Sequence, residues 1–184
     1  MTPPALAEIQ HRTEAVGFNM GSEPLVGALL RTLVASRPGG RFLELGTGTG
    51  IGAAWMLSGM DAASTLVTVD IDPAAQSIAN DILGADPRLT IVEQDAIAFL
   101  QACPDKFDLV FADALPGKYD DLEYALAVVK PGGFYVIDDL LPQVNWPEGH
   151  AARVPPLKAA LAANTEFHIV DLQWASGVLI AVRK

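Results

Sequence analysis

Cysteine is almost absent from this chain: Cys103 stands alone, so neither an internal disulfide nor a paired-thiol metal site can form. It reads as a small apolar filler at a helix end. Long apolar runs are missing too. Hydrophobic residues make up 51% of the chain, but they come in short stretches broken by Gly, Pro or Asp. All fall well short of the roughly 20 residues a membrane span needs. The opening residues, Met1-Thr2-Pro3-Pro4-Ala5-Leu6-Ala7-Glu8, lack the basic start and apolar stretch of a secretory signal, and a cytoplasmic location is the expectation. Basic side chains are scarce: 12 Lys and Arg stand against 22 Asp and Glu, a net charge of -10 that repels phosphate backbones and anionic lipid alike. The expected partner is therefore a small molecule, with neither nucleic acid nor membrane. Internal repeats and linker-like tracts are also missing, so the 184 residues are expected to fold as one domain with a continuous core.

What is present is a regular alternation. Leu6, Ile9, Thr13 and Val16 recur at helical spacing. Leu25, Val26, Leu29, Leu30, Leu33 and Val34 do so more strongly, after Ser22 as a candidate N-cap and Pro24 in the first turn. From Arg41 onward, apolar runs of strand length end in an acid or a glycine and give way to helical segments. The expected strands cover 41–45, 66–70, 89–93, 107–112 and 134–138, with helices near 51–58, 73–83, 96–102, 119–129 and 155–163. Asp72-Pro73 supplies a cap and a first-turn proline, and Gly84 closes the same helix. Runs such as Phe134-Tyr135-Val136-Ile137 are apolar on both faces, which suits a parallel sheet covered on either side. The segments 167–174 and 178–182 are joined by Ala175-Ser176-Gly177, too short for a crossover, and predict an antiparallel hairpin. The fold class is therefore α/β: a doubly wound, Rossmann-like, mostly parallel seven-stranded sheet with helices on both faces.

In such a sheet the ligand crevice opens at the carboxyl ends of the strands. The first strand runs into Gly46-Thr47-Gly48-Thr49-Gly50-Ile51-Gly52, where missing β-carbons let the backbone turn sharply and approach a ligand. The following helix aims its free amides at the same place. Only Gly48-x-Gly50-x-x-Ala53 meets the dinucleotide pattern, through its permitted alanine. Glu44 just ahead of glycines at every second position fits a nucleoside carrying an amino acid better. Asp70 ends the second strand, placed to accept both ribose hydroxyls. Asp95, after the third, reads equally as a partner for adenine's amine or as the N-cap of the next helix. Asp113, Asp138 and Asp139 end the fourth and fifth strands. Three neighbouring carboxylates call for a cation, and oxygen-only ligands suit Mg²⁺, Ca²⁺ or Mn²⁺; taken singly, each reads as a solvated strand-end acid.

These residues resemble the class I S-adenosylmethionine-dependent methyltransferases, and within them the catechol and caffeoyl-CoA O-methyltransferase group with its small bacterial members. The resemblance rests on Leu43-Glu44-Leu45-Gly46-Thr47-Gly48-Thr49-Gly50, Val69-Asp70, Gln94-Asp95, Phe107-Asp108-Leu109-Val110-Phe111-Ala112-Asp113, and Lys130-Pro131-Gly132-Gly133 leading to Asp138-Asp139. It implies a single methyltransferase domain over 1–184, with the helices of 1–38 covering the cofactor site and 39–184 as the Rossmann-like core. It implies S-adenosylmethionine held by Glu44, Gly46, Thr47, Gly48, Gly50 and Gly52 at the methionine end. Asp70 and Ile71 take the ribose, Asp95 the adenine, Asp113 borders the site, and Met20 and Ser22 close over it. It also implies Mg²⁺ or another divalent cation on Asp113, Asp138 and Asp139, although the group usually has asparagine at the third position. The group's lysine falls where this chain has Pro116, which leaves two candidate bases for the acceptor hydroxyl. Lys118 is one, if it is not simply a solvated lysine at a helix start. His150 is the other, if it is not an ordinary loop histidine. Trp146 either walls an aromatic acceptor or packs; His11 and His168 carry no role. The expected activity is metal-assisted O-methylation of a small hydroxyl compound. The alternatives are a metal-independent N-methyltransferase, a nicotinamide oxidoreductase and a non-catalytic cofactor-binding module. The hairpin edge and the N-terminal helices are candidate contacts for a homodimer.

Overall fold

Where an apolar run of five or six residues meets an acid or a glycine, the chain forms a strand and then turns. The computed structural model describes residues 2–184. It contains α1 (Leu6–Ala15), α2 (Pro24–Ala35), β1 (Arg41–Leu45), α3 (Ile51–Gly59), β2 (Thr65–Asp70), α4 (Pro73–Leu83), β3 (Leu89–Glu93) and α5 (Ala96–Ala102). These are followed by β4 (Phe107–Ala112), α6 (Leu122–Ala127), β5 (Val129–Ile137), α7 (His150–Ala162), β6 (Phe167–Leu172) and β7 (Val178–Arg183). The seven strands form one sheet in the order β3-β2-β1-β4-β5-β7-β6. β1 to β5 are mutually parallel, and β7 runs antiparallel to both β5 and β6. The order reverses between β1 and β4, so their carboxyl ends diverge and leave a crevice there.

Both faces of the sheet are covered, as the two-sided apolar strands require. On one face α5, α6 and α7 bring Leu100, Ala125, Leu157 and Leu161 onto Leu43, Leu45, Val110 and Ile137. On the other, α1, α2, α3 and α4 pack Ile9, Leu30, Met56 and Ile78 against Phe42, Leu66, Leu109 and Phe111. Among the described residues no helix is long and apolar enough to cross a membrane.

Several expectations are corrected. β5 begins at Val129, not Phe134, because Val129 already pairs with Phe107 and the ladder then skips to Leu109 against Phe134. The residues between bulge outward, with Gly132 at φ 74 and Lys130 Nζ 2.7 Å from Asp108 Oδ2. That pairing takes residues from α6, which is confined to Leu122–Ala127 and starts after Asp121 at φ 53. α7 begins at His150, after the left-handed Gly149, and runs through Pro155 and Pro156. Two prolines in one segment disguise a helix that starts one turn earlier. Ser22 does not cap α2, whose N-cap is Glu23 without a side-chain bond. Gly84 closes α4 in right-handed geometry, φ -62, and Val16 is exposed beyond the end of α1.

On β5, Tyr135 is fully buried, and its hydroxyl donates to the carbonyl of Gly117 in the turn after β4. Tyr135→Phe leaves that buried carbonyl without its partner. The expected loss is about 1–3 kcal/mol, read as a fall in the urea midpoint at unchanged slope.

Candidate functional site

The turn leaving β1 is shaped by three glycines in left-handed conformation, Gly46 (φ 100), Gly48 (φ 48) and Gly50 (φ 93). Asp70, at the end of the neighbouring β2, fixes that turn: its Oδ2 accepts from Gly48 N at 2.8 Å, and its Oδ1 accepts from Asp72 N at 3.0 Å. The helix cap belongs to Asp72, which accepts from Ala74 N and Ala75 N. Asp70 is thus free of capping and half-buried at the wall of a cavity of about 370 Å³. The cavity lies over the divergence of β1 and β4. Met20, Ser22, Glu44, Gly46, Thr47, Gly48, Gly52, Asp70, Asp113, Asp138, Asp139, Lys118 and His150 all line it, as does Trp146.

Three residues expected at the cofactor do not line this cavity. Gly50 faces α4, where a β-carbon would stand 2.7 Å from Ala79 Cβ, so its task is close helix packing. Ile71 is 70% exposed and outside the cavity. Asp95 caps α5, accepting from Ala98 N at 2.9 Å, and does not reach the cavity.

Glu44 lies deeper than a surface ligand contact. It is 1% exposed and packs under α3, where a β-carbon on Gly52 would come within 2.1 Å of its Oε1. A directed chain of hydrogen bonds ends on it: Gln76 Nε2 donates to Thr47 Oγ1 at 3.0 Å, Thr47 meets Thr68 at 2.7 Å, and Thr68 donates to Glu44 Oε2 at 2.6 Å. Burial pushes its pKa up to about 8 despite the Thr68 bond, with Asp113 and Asp70 adding like charge. Burial likewise raises Asp113 to about 7, with Asp138 as the next cause. Asp138 is raised in the same direction by burial.

The three strand-end carboxylates border one corner of the cavity, and one oxygen each of Asp113 and Asp138 is taken by a protein donor. Asp113 Oδ2 accepts from Ser22 Oγ at 2.7 Å. Asp138 Oδ1 accepts from Ser176 Oγ and, at 2.7 Å, from Asp139 N. Asp139 holds a left-handed backbone, φ 69. Among the described residues no group of three His, Cys, Asp or Glu side chains is arranged to hold a metal ion. As arranged here, the side chains of Asp113, Asp138 and Asp139 do not converge on one point for the divalent cation expected there.

Lys118 is not a solvated lysine. It is 2% exposed, on the turn between β4 and α6, and its Nζ donates to the carbonyl of Asp138 at 3.0 Å. His150 stacks on Trp146 with ring centroids 4.3 Å apart. Its Nε2 meets Tyr119 Oη at 2.9 Å and the Asp139 carbonyl at 3.3 Å, while its Nδ1 is buried with no protein partner. In this arrangement Nε2 is taken by Tyr119 and the Asp139 carbonyl, and His150 lines the cavity beside Trp146. Burial lowers its pKa and Lys118 lowers it further. Burial also pushes Tyr119 up to about 12, with Asp139 adding to the rise.

Three contributors were not foreseen. Ser176, in the β6–β7 turn, holds Asp138; Phe18 lies against Gly48; and Asn145 Nδ2 donates to the carbonyl of Asn19 at 2.7 Å, joining two segments over the cavity. Phe18 and Asn19 stand beside Met20 and Asn145 beside Trp146, while Ser176 was quoted only as part of the hairpin turn.

The methyltransferase-domain family profile matches residues 43–140, from β1 through the end of β5. A Mycobacterium marinum protein named as a candidate O-methyltransferase is 30% identical over 184 aligned positions, covering 94% of this chain and 82% of that protein. A similarly named Mycobacterium avium protein is 33% identical over 133 positions, covering 68% of this chain; the match spans only 60% of the mycobacterial protein's length. The O-methyltransferase from Bacillus cereus, solved in complex with S-adenosylhomocysteine, superposes with a TM-score of 0.84 at 22% identity, over 98% of this chain and 90% of that one.

Proposed function

Since the chain belongs to the methyltransferase-domain family, we propose that it transfers the methyl group of S-adenosylmethionine to a hydroxyl of a small molecule. The observation that carries this reading is the charge of the cavity. Glu23, Asp70, Asp72 and Asp139 line it against Lys118, its one cationic side chain among the described residues, and the buried Glu44, Asp113 and Asp138, held toward their protonated forms, add less charge near neutral pH. Such a wall attracts a ligand bearing a sulfonium and an ammonium and repels the pyrophosphate of a dinucleotide. The glycine turn gives close approach to the methionine end, and Asp70 is placed for the ribose diol. The O-methyltransferase names of the relatives support a hydroxyl as the acceptor. Trp146 and the exposed Leu115 give the outer cavity apolar surface for an aromatic or aliphatic body.

Methyl transfer from a sulfonium is an in-line displacement, so the chain's work is to align donor and acceptor and to support the charge on the acceptor oxygen. Because the three carboxylates do not converge on one point for a divalent cation, no step is routed through one. Calorimetric titration of the protein with S-adenosylhomocysteine and with NAD⁺ tests the assignment. Micromolar binding of the first and none of the second is expected, and NAD⁺ binding would sink it. Radiolabelled methyl donor offered with catechols, hydroxycinnamoyl thioesters and simple phenols then identifies the acceptor.

A further inference from the structure

We infer that Lys118 is the built-in cation of this site: its ammonium holds the acceptor oxygen as an oxyanion, and transfer proceeds without a divalent metal. The inference deepens the methyl-transfer reading and rests on it. An ammonium has three N–H donors, and the structure gives Lys118 one hydrogen bond, to the Asp138 carbonyl. The face of the Tyr119 ring lies 5.4 Å away; among the described residues Lys118 forms no direct ion pair, and Asp113 and Asp138 face it with opposite charge at longer range. At 2% exposure, with Asp113 and Asp138 offsetting part of its charge, the ammonium keeps N–H donors that a ligand oxygen in the cavity can take. Lys118 lines the cavity in the same corner as Asp113, Asp138 and Asp139, the corner where a metal would otherwise be sought. There Asp113 Oδ2 accepts from Ser22 and Asp138 Oδ1 from Ser176 and the Asp139 backbone, and among the described residues no three such side chains are arranged to hold a metal ion. The positive charge is already covalently in place.

The step balances without a further reagent. The acceptor hydroxyl loses its proton to solvent on binding, and its oxygen lies against the Lys118 ammonium. An oxygen lone pair forms the bond to the methyl carbon as the carbon–sulfur bond breaks, and that electron pair stays on sulfur as the neutral thioether. Lys118 remains protonated throughout.

The first test needs no acceptor. Electron paramagnetic resonance of Mn²⁺ titrated into the S-adenosylhomocysteine complex should show no tightly bound ion. Micromolar Mn²⁺ binding overturns the inference. The second measures methylation of a responsive phenol in EDTA. Lys118→Met is expected to lower kcat/KM by about 10²–10³-fold and to move the midpoint of its pH profile upward, since the oxyanion loses its counter-charge. S-adenosylhomocysteine affinity should stay near the parent value, the fall in melting temperature from the lost bond to the Asp138 carbonyl is read separately, and Lys118→Arg should recover part of the rate. Loss of activity in EDTA with recovery in Mg²⁺, or an unchanged rate and pH midpoint in Lys118→Met, overturns the inference while leaving methyl transfer intact. Failure of the parent protein to bind S-adenosylhomocysteine defeats the underlying reading instead.

Discussion

Asp70→Ala is expected to weaken S-adenosylhomocysteine binding on the order of 100-fold or more, measured by calorimetry at neutral pH. Hydrogen bonds to a charged group contribute about 1.5–3 kcal/mol each, and a ribose diol makes two. The carboxylate is also the partner of Gly48 N and Asp72 N, so its loss loosens the turn as well as the sugar contact. Asp70→Asn keeps one acceptor oxygen and should fall between the two. An affinity within threefold of the parent protein would mean that the nucleoside lies elsewhere. Circular dichroism separates this from unfolding, because Asp70 is half-buried at a strand end and belongs to neither apolar cluster.

The second large effect is on stability. Glu44 has its folded pKa raised to about 8 by burial, against an ordinary value of 4.5 in the unfolded chain. Between those values the native state holds a proton that the unfolded state has released. Stability is therefore highest below about pH 4.5 as far as this group is concerned, falls as the pH rises through the window, and levels off above pH 8. At about 1.4 kcal/mol per pH unit, the whole decline amounts to roughly 3–5 kcal/mol. Glu44→Gln keeps an oxygen for Thr68 and removes the titration. The difference in unfolding free energy between variant and parent should grow from pH 5 to pH 8 in favour of the variant. A constant difference across that range would show that Glu44 is ionised in the folded protein. Asp113 and Asp138 are raised in the same direction and titrate in both proteins, so the difference reports Glu44 together with its coupling to Asp113.

What the residue pattern reveals and what it hides follow from the range of the interactions. β1 and β4 are legible residue for residue, because their apolar runs are bounded by a glycine or an acid. The hairpin is legible because three residues cannot carry a crossover. The start of β5 is not, since the Val129 pairing depends on a bulge that only the partner strand defines. α7 was hidden by Pro155 and Pro156, whose local bias points to a boundary that packing overrides. In the site, Asp70 and the glycine turn are adjacent to the strands that place them and were readable. Gly50 shows how one signal serves two purposes: the same missing β-carbon that suits a ligand turn is used against Ala79. Ser176 was unreadable for a different reason, lying 38 residues from the Asp138 oxygen it binds. The burial of Lys118 likewise depends on Tyr135 and Asp138 closing around its turn, which no local pattern reports.

The strand order carries a consequence for synthesis. β6 is made before β7, yet β7 lies between it and the rest of the sheet. A nascent chain that has emerged only through Leu172 has completed its sixth strand but has no neighbour on which to dock it, and the outer edge of β5 is still bare. Both edges are closed in one event when residues 178–183 arrive and pair with β5 on one side and β6 on the other. Until then the growing polypeptide offers two unpaired ladders to other strands, so a ribosome stalled between these elements leaves it open to aggregation.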